Sequence, residues 1–123
     1  MRRLLCVAVL VLTASACTPE ELAWWHARVA QAEADGQSCP QWAPLLETFG
    51  LPSTFGGVME RESNCRPEAY NRSGASGLLQ VMPIWADDCG LERGELFDPV
   101  RNVACAAVIY ERQGPSAWSQ TWP

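Results

Sequence analysis

Lysine is absent from this chain: the nine basic residues are all Arg, and fourteen acids oppose them. The formal charge is -5 and the pI about 4.8. No run of cations builds the basic face that nucleic-acid binding requires, so nucleic acid is excluded as a partner. Histidine occurs once, at His26, with no Cys or acid at ligand spacing, which makes a poor metal site. No Cys-x-x-Cys pair exists for zinc or for dithiol redox chemistry. No strand-like alternation of useful length occurs. The longest apolar run, Leu4 to Leu12, falls short of the roughly 20 residues that cross a bilayer. Extended disorder is excluded as well, because 48% of the residues are apolar and six Trp must be placed somewhere. With 123 residues the chain is long enough for one domain.

Met1-Arg2-Arg3 followed by the Leu4–Leu12 run has the form of a secretory leader. Ala14-Ser15-Ala16 is a small-x-small cleavage site. The residues ending at Cys17 are also similar to the bacterial lipoprotein signal, in which that Cys carries lipid, although Ala14 stands where Leu is usual. The expected layout is a signal peptide over 1–16, an N-terminal helical spacer over 17–37 and a globular domain over 38–120. The expected location is outside the cytoplasm, either extracellular or on the cell envelope, with a lipid on Cys17 as the means of membrane attachment. Past the cut, Cys39, Cys65, Cys89 and Cys105 remain, and an even number of Cys in a small exported domain reads as two structural disulfides.

The rest is mainly helical. Thr18-Pro19-Glu20-Glu21 reads as a capping box with Pro in the first turn, opening a helix to about Ala34 that stops at Asp35-Gly36. Trp24, Trp25 and His26 lie on it, and packing of its Trp on the domain is preferred over docking to a partner. A second helix is expected over Gln41 to Phe49, with Trp42, Leu45, Leu46 and Phe49 on one face and Pro44 confined to the first turn. Ser53 is expected to cap a third helix running to about Glu62. A short helix begins at Pro83 with Ile84, Trp85 and Ala86. Asp98-Pro99 opens the last one, with Val100, Val103, Ala107 and Tyr110 as its expected inner stripe and Gly114-Pro115 as its stop. Between Tyr70 and Ser76 the chain is irregular or forms a short hairpin.

The third helix carries the chemical signal. Phe55, Val58, Met59 and Glu62 fall at i, i+3, i+4 and i+7, so the fourth member of an apolar stripe is a carboxylic acid. Glu60 faces elsewhere, because i and i+2 do not share a helix face. Burying an unpaired carboxylate is costly. The plain structural reading is therefore a helix-end Glu whose head reaches water or pairs with Arg61, Arg66 or Arg72. Apolar neighbours and a helix C-terminus are settings that favour an acid over its anion, which suits a general acid.

An ordered set of short motifs extends this. Glu62-Ser63 is followed by Ala69-Tyr70-Asn71, by Gly74-Ala75-Ser76-Gly77-Leu78-Leu79-Gln80, by Met82-Pro83, and later by Asp98-Pro99 with Asn102-Val103. The set resembles the lytic transglycosylase (SLT) domain of the lysozyme-like superfamily, from roughly Cys39 to Trp118. Leu79 stands where that family has Met. The family's later Ala-Tyr-Asn segment, which helps close the cleft, has no counterpart before Trp122-Pro123. The ending Gln113-Gly114-Pro115-Ser116-Ala117-Trp118 is closer to the compact version in actinobacterial exported proteins and resuscitation-promoting factors.

The resemblance implies a small lysozyme-like helical domain that cleaves the β-1,4 bond between MurNAc and GlcNAc in peptidoglycan glycan strands. It implies Glu62 as the one catalytic acid, Ser63 orienting it, and Gln80 binding the sugar or its N-acetyl group. Tyr110 falls near a family aromatic and is equally compatible with the core. A two-carboxylate glycosidase would need a second acid; Asp87, Asp88 and Glu60 are candidates, and no spacing puts one there. The one-acid mechanism calls for no metal or cofactor, and a monomer is expected. Two alternatives share the fold: a lysozyme-type hydrolase of the same bond and a non-catalytic cell-wall module. The disulfides are expected to be Cys39–Cys65, joining the start of the second helix to the end of the antiparallel third, and Cys89–Cys105, where the last helix passes back over the Trp85 segment.

Overall fold

The computed structural model describes residues 17–123. The leader and the Ala14–Ala16 cleavage site lie outside the described residues. The first helix, α1 (Pro19–Ala34), begins as expected: Thr18 Oγ1 accepts from Glu21 N, and Glu21 Oε2 accepts from Thr18 N. Asp35 ends it. The helix lies on the domain. Ala32 is buried, Trp25 packs against the core, and Arg28 pairs with Glu47 at 3.2 Å.

The second helix is shorter than expected and splits in two. Pro40–Trp42 forms a 3-10 turn, and α2 follows over Ala43–Thr48. The cause is Pro44, which has no N–H to continue an α-helical ladder back to Pro40. The turn ahead of it closes through Trp42 N to Cys39 O instead. α3 covers Thr54–Ser63. Ser53 stands at its start, but its side chain accepts no hydrogen bond there. The first turn is closed by backbone, with Phe55 N donating to Pro52 O and Gly56 N to Ser53 O. Phe55, Val58 and Met59 are fully buried. Gly56 lets the Ser38 carbonyl lie directly on α3, where any Cβ would collide with it. That close approach seats Cys39 beside the far helix end, and Cys39–Cys65 closes with its Cα atoms 5.5 Å apart.

α3 ends at Asn64 in the left-handed region, a conformation Asn tolerates better than most residues. Two isolated antiparallel bridges follow, Tyr70 with Ser76 and Ser76 with Val81. The first matches the hairpin-like expectation. No longer ladder forms among the described residues.

α4 (Ile84–Asp88) and a 3-10 turn (Arg93–Phe97) lead to α5 (Pro99–Gln113). Asp98 caps α5 by accepting from Val100 N and Arg101 N. The buried stripe of α5 is rotated from the expected one. Val103 is fully buried as expected, and beside it Asn102, Cys105, Ala106 and Ile109 form the buried stripe, while Val100, Ala107 and Tyr110 are only partly buried. These four also repeat at i, i+3, i+4 and i+7, but the first is polar and so escapes an apolar search. Cys105 on this face bonds Cys89 at the end of α4. A last 3-10 turn, Gly114–Trp118, carries Trp118 into the core.

Candidate active site

Glu62 sits one residue before the C-terminal end of α3, partly buried, below the buried Phe55, Val58 and Met59. It belongs to none of the described ion pairs, which join Arg28 to Glu47, Arg101 to Glu95 and Arg112 to Asp88. Its partner is a hydroxyl: Thr121 Oγ1 donates to Glu62 Oε1 at 2.7 Å. The preceding residue grips the same segment, since Arg61 Nη1 donates to the Thr121 carbonyl at 2.8 Å.

Of the three candidate second acids, Glu60 and Asp88 have structural partners, as does Glu95, while Asp87 is exposed. Glu60 accepts from Ser38 Oγ at 2.8 Å, on the side of α3 that faces the Cys39 loop. Asp88 is held by Arg112. Glu95 caps the 3-10 turn and pairs with Arg101.

Ser63 is buried, and its hydroxyl donates to the Met59 carbonyl one turn back. Its proton is therefore committed to the helix rather than to Glu62. Gln80 has left-handed backbone at φ 47°. Its amide nitrogen donates to Ala69 O at 3.1 Å and to Gly77 O at 3.0 Å. Both partners are carbonyls, which can only accept, so the NH2 end must face them. The Ala69 carbonyl also accepts from Gly77 N at 2.8 Å. One carbonyl thus ties the segment after Glu62 to the Gly77–Gln80 turn.

That turn is fixed by Asn102. Its Oδ1 accepts from Leu79 N, and its Nδ2 donates to Ser76 O and Leu96 O, at 2.8 to 2.9 Å. Gly77, at φ 79°, lies so close that a Cβ would strike the Asn102 amide and the Leu96 carbonyl. On the other side of the same turn, Trp118 Nε1 donates to Leu79 O at 2.9 Å.

Tyr110 is an aromatic wall shared with the core. It meets Phe55 edge-on at 5.2 Å and stacks on Trp122 at 6.1 Å. Trp118 and Trp122 also meet Phe55 edge-on, at 4.9 and 5.2 Å. The sequence motifs end at Trp118 and so miss Thr121 and Trp122. The available signal is Trp118 and Trp122 four residues apart, which is the spacing of one helical face.

The match to the family model "Transglycosylase SLT domain" runs over residues 48–113, more than half of the chain. The chain belongs to the SLT transglycosylase family. Two relatives of this SLT domain are both named probable transglycosylase IsaA. They come from Staphylococcus aureus strains bovine RF122 / ET3-1 and Newman, and are 39% and 38% identical over 66 residues. Those residues are 54% of this chain and 25% of each relative, so the SLT domain matches only a quarter of their length. No solved structure gives a significant match. The matched segment contains Glu62, Gln80 and Asn102 and ends before Thr121.

Proposed function

We propose that this SLT domain cleaves the β-1,4 bond between MurNAc and GlcNAc in peptidoglycan, with Glu62 as its only catalytic carboxylate. The observation that carries the reading is the acid at the end of a buried apolar stripe, partly exposed and held by a neutral hydroxyl instead of an Arg. An acid held this way is free to give up its proton and take it back. Glu62 protonates the glycosidic oxygen as the C1–O bond breaks. The substrate's own acetamido oxygen stabilises the cation at C1. Glu62, now a carboxylate, takes the proton of the muramic acid 6-hydroxyl as that oxygen attacks C1. A 1,6-anhydro end forms and the acid is restored. The 6-hydroxyl is tethered to the reacting ring, so its effective concentration far exceeds that of an intermolecular nucleophile.

With both amide protons spent on carbonyls, Gln80 offers the sugar its Oε1, an acceptor suited to an acetamido N–H. Tyr110 and Trp122 supply an apolar wall. Export belongs to the same reading: Met1–Ala16 directs the chain to the oxidising compartment in which two structural disulfides persist, and is then removed.

Glu62→Gln tests the acid. The amide keeps the shape and the Thr121 contact but cannot cycle a proton. Activity on purified peptidoglycan should fall at least ~10²-fold with the melting temperature unchanged. Glu60→Gln, on the opposite side of α3, should retain activity. Wild-type turnover by the Glu62→Gln variant would remove Glu62 from the mechanism.

A further inference from the structure

We propose that Thr121 is the positioning residue for Glu62. Its hydroxyl holds Oε1 of the acid and leaves Oε2 as the oxygen that delivers and recovers the proton. This rests on the reading of Glu62 as the acid of a glycan-cleaving site.

The contact is well formed. At 2.7 Å it has the ordinary length of an O–H···O hydrogen bond and lies at the upper edge of the range for bonds to carboxylates. It is also firmly mounted. The Thr121 carbonyl is held by Arg61 at 2.8 Å, and Trp122 N donates to Trp118 O at 2.8 Å. Trp122 packs on Phe55 and Tyr110, and Trp118 is pinned to Leu79 O. Adjacent residues of α3 therefore grasp Thr121 at two points, Arg61 through its carbonyl and Glu62 through its hydroxyl. The bonding of Ser63 leaves this role to Thr121, because the Ser63 proton goes to Met59 O.

The geometry also suits both protonation states. The Thr121 hydroxyl has a second acceptor, Trp118 O, at 3.3 Å. As a carboxylate, Glu62 takes the Thr121 proton in the shorter, charge-assisted bond. As an acid protonated on Oε2, it still presents Oε1 to the same donor. If the acid swings away during turnover, the hydroxyl turns to Trp118 O and is not orphaned. A free Glu at a helix end samples several rotamers, and misplacing a reacting group by about 1 Å can cost ~10² in rate.

The test compares Thr121→Val, which removes the hydroxyl at nearly constant volume, with Thr121→Ser, which keeps it. kcat and KM are measured on soluble peptidoglycan glycan chains, alongside melting temperature and the Glu62→Gln variant. The expected result is a kcat loss of ~10- to 10²-fold in T121V, with KM within about twofold and the melting temperature preserved, and recovery of most of kcat in T121S. Wild-type kcat in T121V, or equal losses in T121V and T121S, would overturn the positioning role while leaving an inactive E62Q in place. Equal turnover by wild type and E62Q would instead overturn the assignment of Glu62, and this proposal with it. Should T121V fail to fold, Thr121→Ala removes the same hydroxyl without the polar-to-methyl exchange, and the same outcomes decide.

Discussion

Two polar side chains occupy positions where the helical pattern calls for carbon: Glu62 on α3 and Asn102 on α5. Their surroundings separate them. Asn102 is completely buried with all three of its hydrogen bonds made to backbone. Glu62 is partly exposed and receives one hydrogen bond from a side chain. The first arrangement is that of a structural pin, and the second suits the reactive role proposed for Glu62. Glu62 is legible in the sequence because three apolar residues lead up to it. Asn102 is not legible as core, since a search for apolar periodicity selects Val100 and Ala107 in its place. Asn102→Ala strands the Leu79 N–H and the Leu96 carbonyl in the interior, while the Ser76 carbonyl keeps Val81 N, and should cost about 2–3 kcal/mol by denaturant unfolding. Asn102→Asp should be at least as damaging despite its near-identical shape, because it turns an acceptor toward two carbonyls. An Ala or Asp variant as stable as wild type would show that the Gly77–Leu79 turn does not depend on this residue.

At the scale of elements, starts and stops are the most legible feature. Thr18, Pro19, Asp98, Pro99 and Gly114 act locally, through caps, fixed φ and chain reversal, so a single sequence reports them. The disulfide pairing is legible for a related reason: a short turn makes α2 and α3 antiparallel, which brings Cys39 to Cys65. The C-terminal segment is not legible. Its position comes from Phe55, Tyr110, Trp118 and Trp122 meeting across distant parts of the chain, and no local rule encodes that meeting. Replacing Cys39 and Cys65 together by Ser should lower stability by about 3 kcal/mol in denaturant titration. The Gly56–Ser38 approach and the Glu60–Ser38 bond still hold the loop, so native-like circular dichroism is expected. Unchanged stability would mean that the bridge constrains little in the unfolded chain.

For the whole molecule, the family match and the assembled site have different extents. The match spans 48–113, whereas the residues that hold Glu62 and Leu79 from outside lie at 118–122. Thr121 and Trp122 lie past the expected domain limit of 120, whereas Trp118 lies inside it, and α1 packs on the domain through Trp25, the packing preferred for its Trp residues. The central claim is that one carboxylate, with no second acid to activate water, directs the muramic acid 6-hydroxyl onto C1. The most direct measurement is mass spectrometry of the fragments released from purified peptidoglycan by the wild-type chain, with Glu62→Gln as the blank. The expected fragments carry 1,6-anhydromuramyl ends, each lighter by one water than the corresponding reducing end. Dominant reducing ends would contradict the central claim, and would make Glu62 the acid of a hydrolase.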